Sequence, residues 1–253
     1  MSDTQVLITL PQATQTLLAF SQKIGWVFRG QSNASWELIP KAGRPPFYRH
    51  SGATLTHTPR SRRNPPPDLG RFNHWRDLAA GYCEHLSEND FECLAFAQHY
   101  GLPTRLMDFT ENALAALYFA CESDFQVAGA VCVYHPEIFV DTEKADLYTL
   151  NRNACLRVPP FDRRLLAQRA AFLYFADPAA PLVPVPIEEN VGKLSSVTVN
   201  LVKFVIPADA KLIIFRQLQD VGMTRRTLFP DLEGLSRDFV SNDLYLAAFN
   251  ATR

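Results

Sequence analysis

Apolar positions along the chain change repeatedly between a helical and a two-residue period, and each change marks an element. Pro11–Lys23 predicts a helix, with proline near its start and Leu17, Leu18 and Phe20 on or near one face. Ile24–Gln31 predicts a strand that places Trp26, Phe28 and Gly30 on one side and Val27, Arg29 and Gln31 on the other. Trp36–Ile39 reads as a short second strand ended by Pro40. Leu69–Leu86 and Asp90–Tyr100 read as helices; the second carries Phe91, Leu94, Ala95 and Phe96 at helical spacing, and Gly101 can supply a left-handed stop. The segment Leu102–Asn112 reads as a turn that opens a helix over Glu111–Glu122, with Thr110 as its N-cap. Gly129–His135 reads as a buried strand, Phe161–Ala171 as a helix and Phe172–Phe175 as a short strand. A proline-rich crossing at Pro178–Pro186 precedes a strand at Leu201–Ile206, a helix at Asp209–Val221 and an irregular, then helical, tail over Leu228–Phe249. There is no repeat and no steady strand–helix alternation. The expectation is an α+β fold, a small mixed sheet with flanking helices in a single domain.

Composition adds limits. The chain has 253 residues, 47 % of them apolar, enough to bury a sizeable core. A formal net charge of −1 gives no global attraction to nucleic acid or membrane, so any such attraction must be local. Lys41–Asn64 is the local exception: Lys41, Arg44, Arg49, Arg60, Arg62 and Arg63 occur there with His50, His57, Phe47 and Tyr48 and no acidic residue. Pro65-Pro66-Pro67 closes this basic, proline-rich insertion at about 41–67. It reads either as a solvated surface loop or as an arm for anions or nucleic acid, with Arg60, Arg62 and Arg63 as the contacts. Met1–Gln5 carries no signal pattern, and no apolar run approaches the ~20 residues that span a bilayer. The five cysteines include no CxxC pair and read as buried thiols in a reducing, cytoplasmic compartment.

The candidate chemistry lies elsewhere. GxxxxGK[ST], GxGxxG, GxSxG and HExxH are all absent, as is the zinc deaminase pattern, and no metal site is expected. Arg29 sits mid-strand among apolar neighbours, so it must reach solvent, pair with a carboxylate such as Asp108, or face a ligand. Gly30 beside it lets another backbone or a ligand approach. Thr104, Arg105, Asp108, Thr110 and Asn112 crowd the start of a helix, where anions settle, and Asp108 could fix Arg105 or Arg29. His99 ends the preceding helix beside Gln98, either satisfying local carbonyls or acting in catalysis. Arg164, Gln168 and Phe172 repeat at a spacing of four, and Gln168 could read a base edge or an amide. In Leu228–Leu235, Phe229, Leu232 and Leu235 suit a docking clamp; Asp231 suits a helix cap, and Glu233 is a possible acid.

Together these segments resemble the FRG domain family, named for a Phe-Arg-Gly motif present here as Phe28-Arg29-Gly30. The resemblance extends through Gln31, Trp36, Leu38 and Pro40. It resumes over Gln98–Asn112, continues to Ala120, recurs at Arg164, Gln168 and Phe172, and ends in Gly222–Leu235. A glycine expected soon after Gln168 is replaced by Ala170 and Ala171. Family members are largely bacterial and often resemble mobile or defence proteins, which implies a toxin or phage-defence setting. A fold-level similarity to ADP-ribosyltransferases implies NAD as cofactor. Arg29, Gln31, Thr104, Arg105, Asp108 and Thr110 would then line its site, and His99 or Gln168 would contact the nicotinamide ribose or the acceptor. The catalytic carboxylate would be Glu233 or Glu111, and the acceptor nucleic acid or protein. The alternatives are a nucleic-acid or nucleotide-binding module without catalysis, and a nuclease or phosphodiester hydrolase using His99 with a carboxylate.

Overall fold

The computed structural model describes residues 6–21, 25–48, 61–184 and 201–251. Among these, β1 (Val27–Gln31), β2 (Leu106–Thr110), β3 (Gly129–Tyr134), β4 (Phe139–Val140), β5 (Ala154–Leu156), β6 (Ala170–Tyr174) and β7 (Leu201–Ile206) form one sheet. Its order is β4-β5-β6-β2-β1-β3-β7. The pairs are antiparallel except β4 with β5. The helices are α1 (Leu10–Ser21), α2 (Pro67–Ala79), α3 (Asp90–His99), α4 (Ala113–Cys121), α5 (Arg163–Ala167), α6 (Ala208–Asp220), α7 (Arg225–Leu228) and α8 (Leu232–Ala251). This is an α+β arrangement. No helix among the described residues is long and apolar enough to cross a membrane.

Cross-strand partners share a face, so register fixes what each face buries. Phe28 pairs with Thr110 and Asp108 with Phe172, which puts Phe28, Asp108 and Phe172 on one side. On that side α4 and α6 pack over Phe28, Val131, Val133 and Phe204, while α2 and α3 pack over Leu106, Leu156, Phe172 and Tyr174. The other side buries Val27, Met107, Phe109, Cys132 and Leu173 beneath Leu38 and Leu182. α4 is buried almost all round and rich in alanine, which allows close approach. A Cβ on Gly30 would lie 2.0 Å from the Ala116 carbonyl oxygen. Gly30 therefore serves the packing of α4 on β1, not the approach of a ligand.

Several elements differ from the sequence expectation. Leu106–Thr110, expected as a turn, is a strand paired with β6 over five residues. Its polar Asp108 and Thr110 alternate with buried Met107 and Phe109, a two-residue period. Asn112, not Thr110, caps α4; its Oδ1 accepts from the amides of Leu114 and Ala115 at 3.0 and 3.3 Å. The helix expected over Phe161–Ala171 is only Arg163–Ala167, started by the Asp162 side chain and ended where Arg169 turns to φ +47°. α2 stops at Ala79, and of Trp36–Ile39 only Leu38 forms a bridge, to Leu182. Gly101 does take the left-handed stop, at φ +94°.

Candidate active site

β1 and β2 share a single residue pair, Phe28 with Thr110, and then separate. Continued pairing would set Gly30 opposite Asp108. Instead a cleft of about 470 Å³ opens there, between the α4 and α3 halves of the sheet. Its lining includes Arg29, Gln31, Trp36, Gln98, His99, Asp108, Thr110, Glu122, Arg164 and Gln168.

Arg29 crosses the gap. Its Nη1 donates to the Asp108 main-chain carbonyl at 2.5 Å, the acceptor that a continued ladder would have used. Its Nε is buried and has no hydrogen-bond partner among the described residues. Burial lowers the Arg29 pKa, against the opposing pull of the Asp108 carboxylate. The side chain stays cationic, because a guanidinium does not deprotonate in proteins.

Asp108 does not fix either arginine through its carboxylate. Its Oδ1 accepts from Gln98 Nε2 at 2.7 Å, and Gln98 Oε1 accepts from the Thr104 hydroxyl. Thr104 is buried and holds Gln98, but does not itself line the cleft. Gln31 is buried at the cleft edge, with the Cys132 thiol 3.7 Å from its Oε1. The Thr110 hydroxyl donates to the Gln168 carbonyl, fastening α5 to β2. Gln168 Nε2 donates to the Leu228 carbonyl at 3.1 Å, which engages one N–H of its amide. His99 Nε2 lies 3.3 Å from Asp162 Oδ2, and the other oxygen of Asp162 caps α5.

Besides Thr104, several other residues expected at the site lie outside it. Arg105 is buried and does not line the cleft. Its Nε and Nη2 bind the two oxygens of Asp68 at 2.7 and 2.6 Å, and its Nη1 reaches Tyr174 Oη and the Ala176 carbonyl at 3.1 and 3.2 Å. That is a bidentate internal strut in which all three guanidinium nitrogens are engaged. Glu233 binds the cleft residue Arg164 and also Arg237, at 2.9 and 2.7 Å, but does not itself line the cleft. Glu111 lies in a separate pocket beside Arg157 and Arg169. Arg62 and Arg63 are exposed and also outside the lining; Arg60 lies outside the described residues.

Residues 25–128 match the family model of the FRG domain, a stretch that includes Phe28-Arg29-Gly30 and the second cleft segment. The chain carries an FRG domain. No curated protein and no solved structure matches it. The matched stretch ends before β3, yet Arg164, Gln168, Phe172 and Phe229 of the FRG-domain cleft come from beyond it.

Sequence reasoning missed three contributors. Glu122, at the end of α4, lines the cleft; burial raises its pKa against the pull of Arg225 at 2.8 Å. Lys211 is fully buried, and its Nζ donates to the carbonyls of Ser32, Ser123 and Asp124 at 2.8, 2.6 and 2.9 Å. Lys203 donates to the Ala34 carbonyl. The two lysines hold the loops on which Ser32, Trp36 and Ser123 reach the cleft. Their only sequence signal is a lysine at a core-facing position. Among the described residues, no three His, Cys, Asp or Glu side chains are grouped to hold a metal ion.

Proposed function

We infer that the FRG-domain cleft binds a dinucleotide of the NAD type, and that the protein is an ADP-ribosyltransferase-like effector acting on nucleic acid. One observation carries this reading: Arg29 presents a half-buried cation at the cleft, and its buried Nε has no partner among the described residues. A buried, unsatisfied guanidinium donor is costly, and a phosphate oxygen would satisfy it. The volume is ordinary for a small-molecule site, and half-exposed Trp36 offers a flat face at the wall.

NAD supplies an activated C1′–nicotinamide bond. When that bond breaks, its electron pair leaves with neutral nicotinamide. An acceptor nucleophile then bonds C1′ and releases a proton. Glu122 is suited to accept a ribose hydroxyl and stabilise positive charge developing at C1′, the part first assigned to Glu233 or Glu111. The Gln98–Asp108 pair would bind sugar hydroxyls. His99, oriented by Asp162, is placed to take the acceptor's proton.

Purified protein, wild type beside Arg29→Ala and Glu122→Gln, tests this by calorimetry with NAD and mass spectrometry of nicotinamide and modified RNA or DNA. Arg29→Ala should lose NAD binding, whereas Glu122→Gln should keep binding and lose nicotinamide release. A folded wild type that does not bind NAD overturns the reading. Binding without release points to a nucleotide-binding module. The His99–Asp162 contact favours a second reading, phosphodiester hydrolysis, which predicts cleaved nucleic acid without NAD.

A further inference from the structure

Beside the cleft, the segment after Pro40 carries cations whose charge is not neutralised. Lys41 Nζ donates to the Gly101 carbonyl at 3.3 Å and Arg44 Nε to the Ile39 carbonyl at 2.7 Å. Arg71, on α2, donates to the carbonyls of Pro103 and Phe47 at 3.4 and 3.2 Å. Among the described residues, none of the three has a carboxylate within 4.0 Å. Arg76, Arg105, Arg164 and Arg225 all do. Lys41 and Arg44 are exposed, so their positive charge faces solvent in a protein of net charge −1.

The cations are grouped around a ring and joined to the cleft. Lys41 and Arg71 lie 5.7 and 5.9 Å from the centre of the Phe47 ring. Arg44 is close enough to Arg29 for the two charges to repel. Lys41, through Gly101, adjoins Tyr100, which is 68 % exposed and packs on the cleft residue His99 at 5.2 Å between ring centres. Trp36 and Phe47 are also exposed. Separated cations interleaved with exposed aromatic residues match a flexible strand whose phosphates follow the charge and whose bases stack. At about 470 Å³ the cleft is far too small to admit a duplex.

We propose that Lys41, Arg44 and Arg71 form a phosphate track, with Phe47 and Tyr100 as stacking faces, that delivers a single-stranded nucleic acid to the Arg29 cleft. This rests on the reading of that cleft as acting on nucleic acid, but not on NAD turnover.

The test is fluorescence anisotropy of a labelled mixed-sequence single strand, as RNA and as DNA, titrated over a range of salt without NAD. The duplex of the same sequence is the comparison. The variants are Lys41→Glu/Arg44→Glu/Arg71→Glu and the milder Lys41→Gln/Arg44→Gln/Arg71→Gln, each confirmed folded by thermal melting. Wild type should bind the single strand more tightly than the duplex. The neutralised variant should weaken binding by roughly tenfold or more and reduce the salt slope by about 2, near 0.7 for each lost contact. Absent wild-type binding, equal duplex affinity, or an unchanged slope in the neutralised variant overturns the track. Anionic vesicles or a phosphopeptide bound in place of the oligonucleotide overturn it as well. A track confirmed beside a wild type that ignores NAD would overturn the transferase reading alone.

Discussion

The guanidinium of Arg29 is bonded to the main-chain carbonyl of Asp108, while the Asp108 carboxylate is bonded to Gln98. An arginine across a strand gap can thus take the place of a ladder hydrogen bond and still face a cleft with an unused donor. Arg29→Ala should therefore cost only about 1 kcal/mol of stability, because the freed carbonyl borders the cleft and can bind water. Ligand affinity should fall by about 1.5–3 kcal/mol, the worth of a charge-assisted hydrogen bond. Scanning fluorimetry and calorimetry on the same preparation separate the two. A large drop in melting temperature would make Arg29 a structural residue.

Gly30 should tolerate no side chain. Its Cβ direction points at the Ala116 carbonyl oxygen and the Ala120 amide, 2.0 and 2.7 Å away, and helix backbone cannot swing aside as a flexible side chain can. Gly30→Ala should destabilise by about 1–3 kcal/mol or more, as overpacking does. Urea denaturation measures it, and a midpoint equal to wild type would mean that α4 shifts freely.

Removing one partner of the Arg105–Asp68 pair should be far more damaging than changing a surface pair, at about 3–5 kcal/mol, because it leaves a buried charge uncompensated. Asp68→Ala and Arg105→Leu together should recover part of that loss. A double-mutant cycle on chemical denaturation reads the coupling, and simple additivity would contradict it.

Arg169 occupies a left-handed conformation at φ +47°, directly after Gln168. The position that calls for glycine is therefore residue 169, and Ala170 and Ala171 already belong to β6. Its pair with Glu111, at 3.7 Å, is exposed on the arginine side and contributes little. Arg169→Gly should raise stability by up to about 1 kcal/mol through relief of that conformation. A lower melting temperature would show that the ion pair outweighs the strain.

Burial pushes the thiols of Cys93 and Cys132 up to about 11, and those of Cys121 and Cys155 up to about 12. In the unfolded chain a thiol ionises near 8.5. Raised folded values mean that the folded state holds these protons longer. Their contribution to stability is complete below about pH 8.5 and is lost as pH rises towards the folded values. Unfolding free energy should therefore fall on the alkaline side, and Cys121→Ala should flatten that fall. Native protein should expose only Cys83, which is partly buried, to a thiol reagent at neutral pH. Rapid labelling of the other four would contradict the burial.

How much the sequence discloses depends on how local each cause is. Leu201–Ile206 and the Gly101 stop follow from neighbouring residues, and both stand as expected. The arginine beside Gly30 could be recognised as unusual because strand alternation alone isolates it. β2 was hidden because Asp108 and Thr110 face a cleft, and polar residues on a strand's cleft side look like a turn. Arg105 looked available because Asp68, its partner 37 positions earlier, is brought to it only by the packing of α2. Glu122 gives no signal and Lys211 only that of a lysine at a core-facing position, since a charged residue on a helix is ordinarily solvated. Distant pairing alone makes one part of the cleft and the other its support.

The strand gap is held from both sides by pieces of chain beyond residue 128: β3 next to β1 with β7 beyond it, β6 next to β2, and Lys211, which fastens the Ser32 and Ser123 loops. The recognisable stretch and the cooperative unit thus have different borders. Residues 25–128 transplanted alone would carry the Phe-Arg-Gly lettering on two strands joined by one residue pair, with their remaining edges bare. Such edges recruit other chains. The graft would arrive as an adhesive ribbon, and its arginine would have no gap to cross.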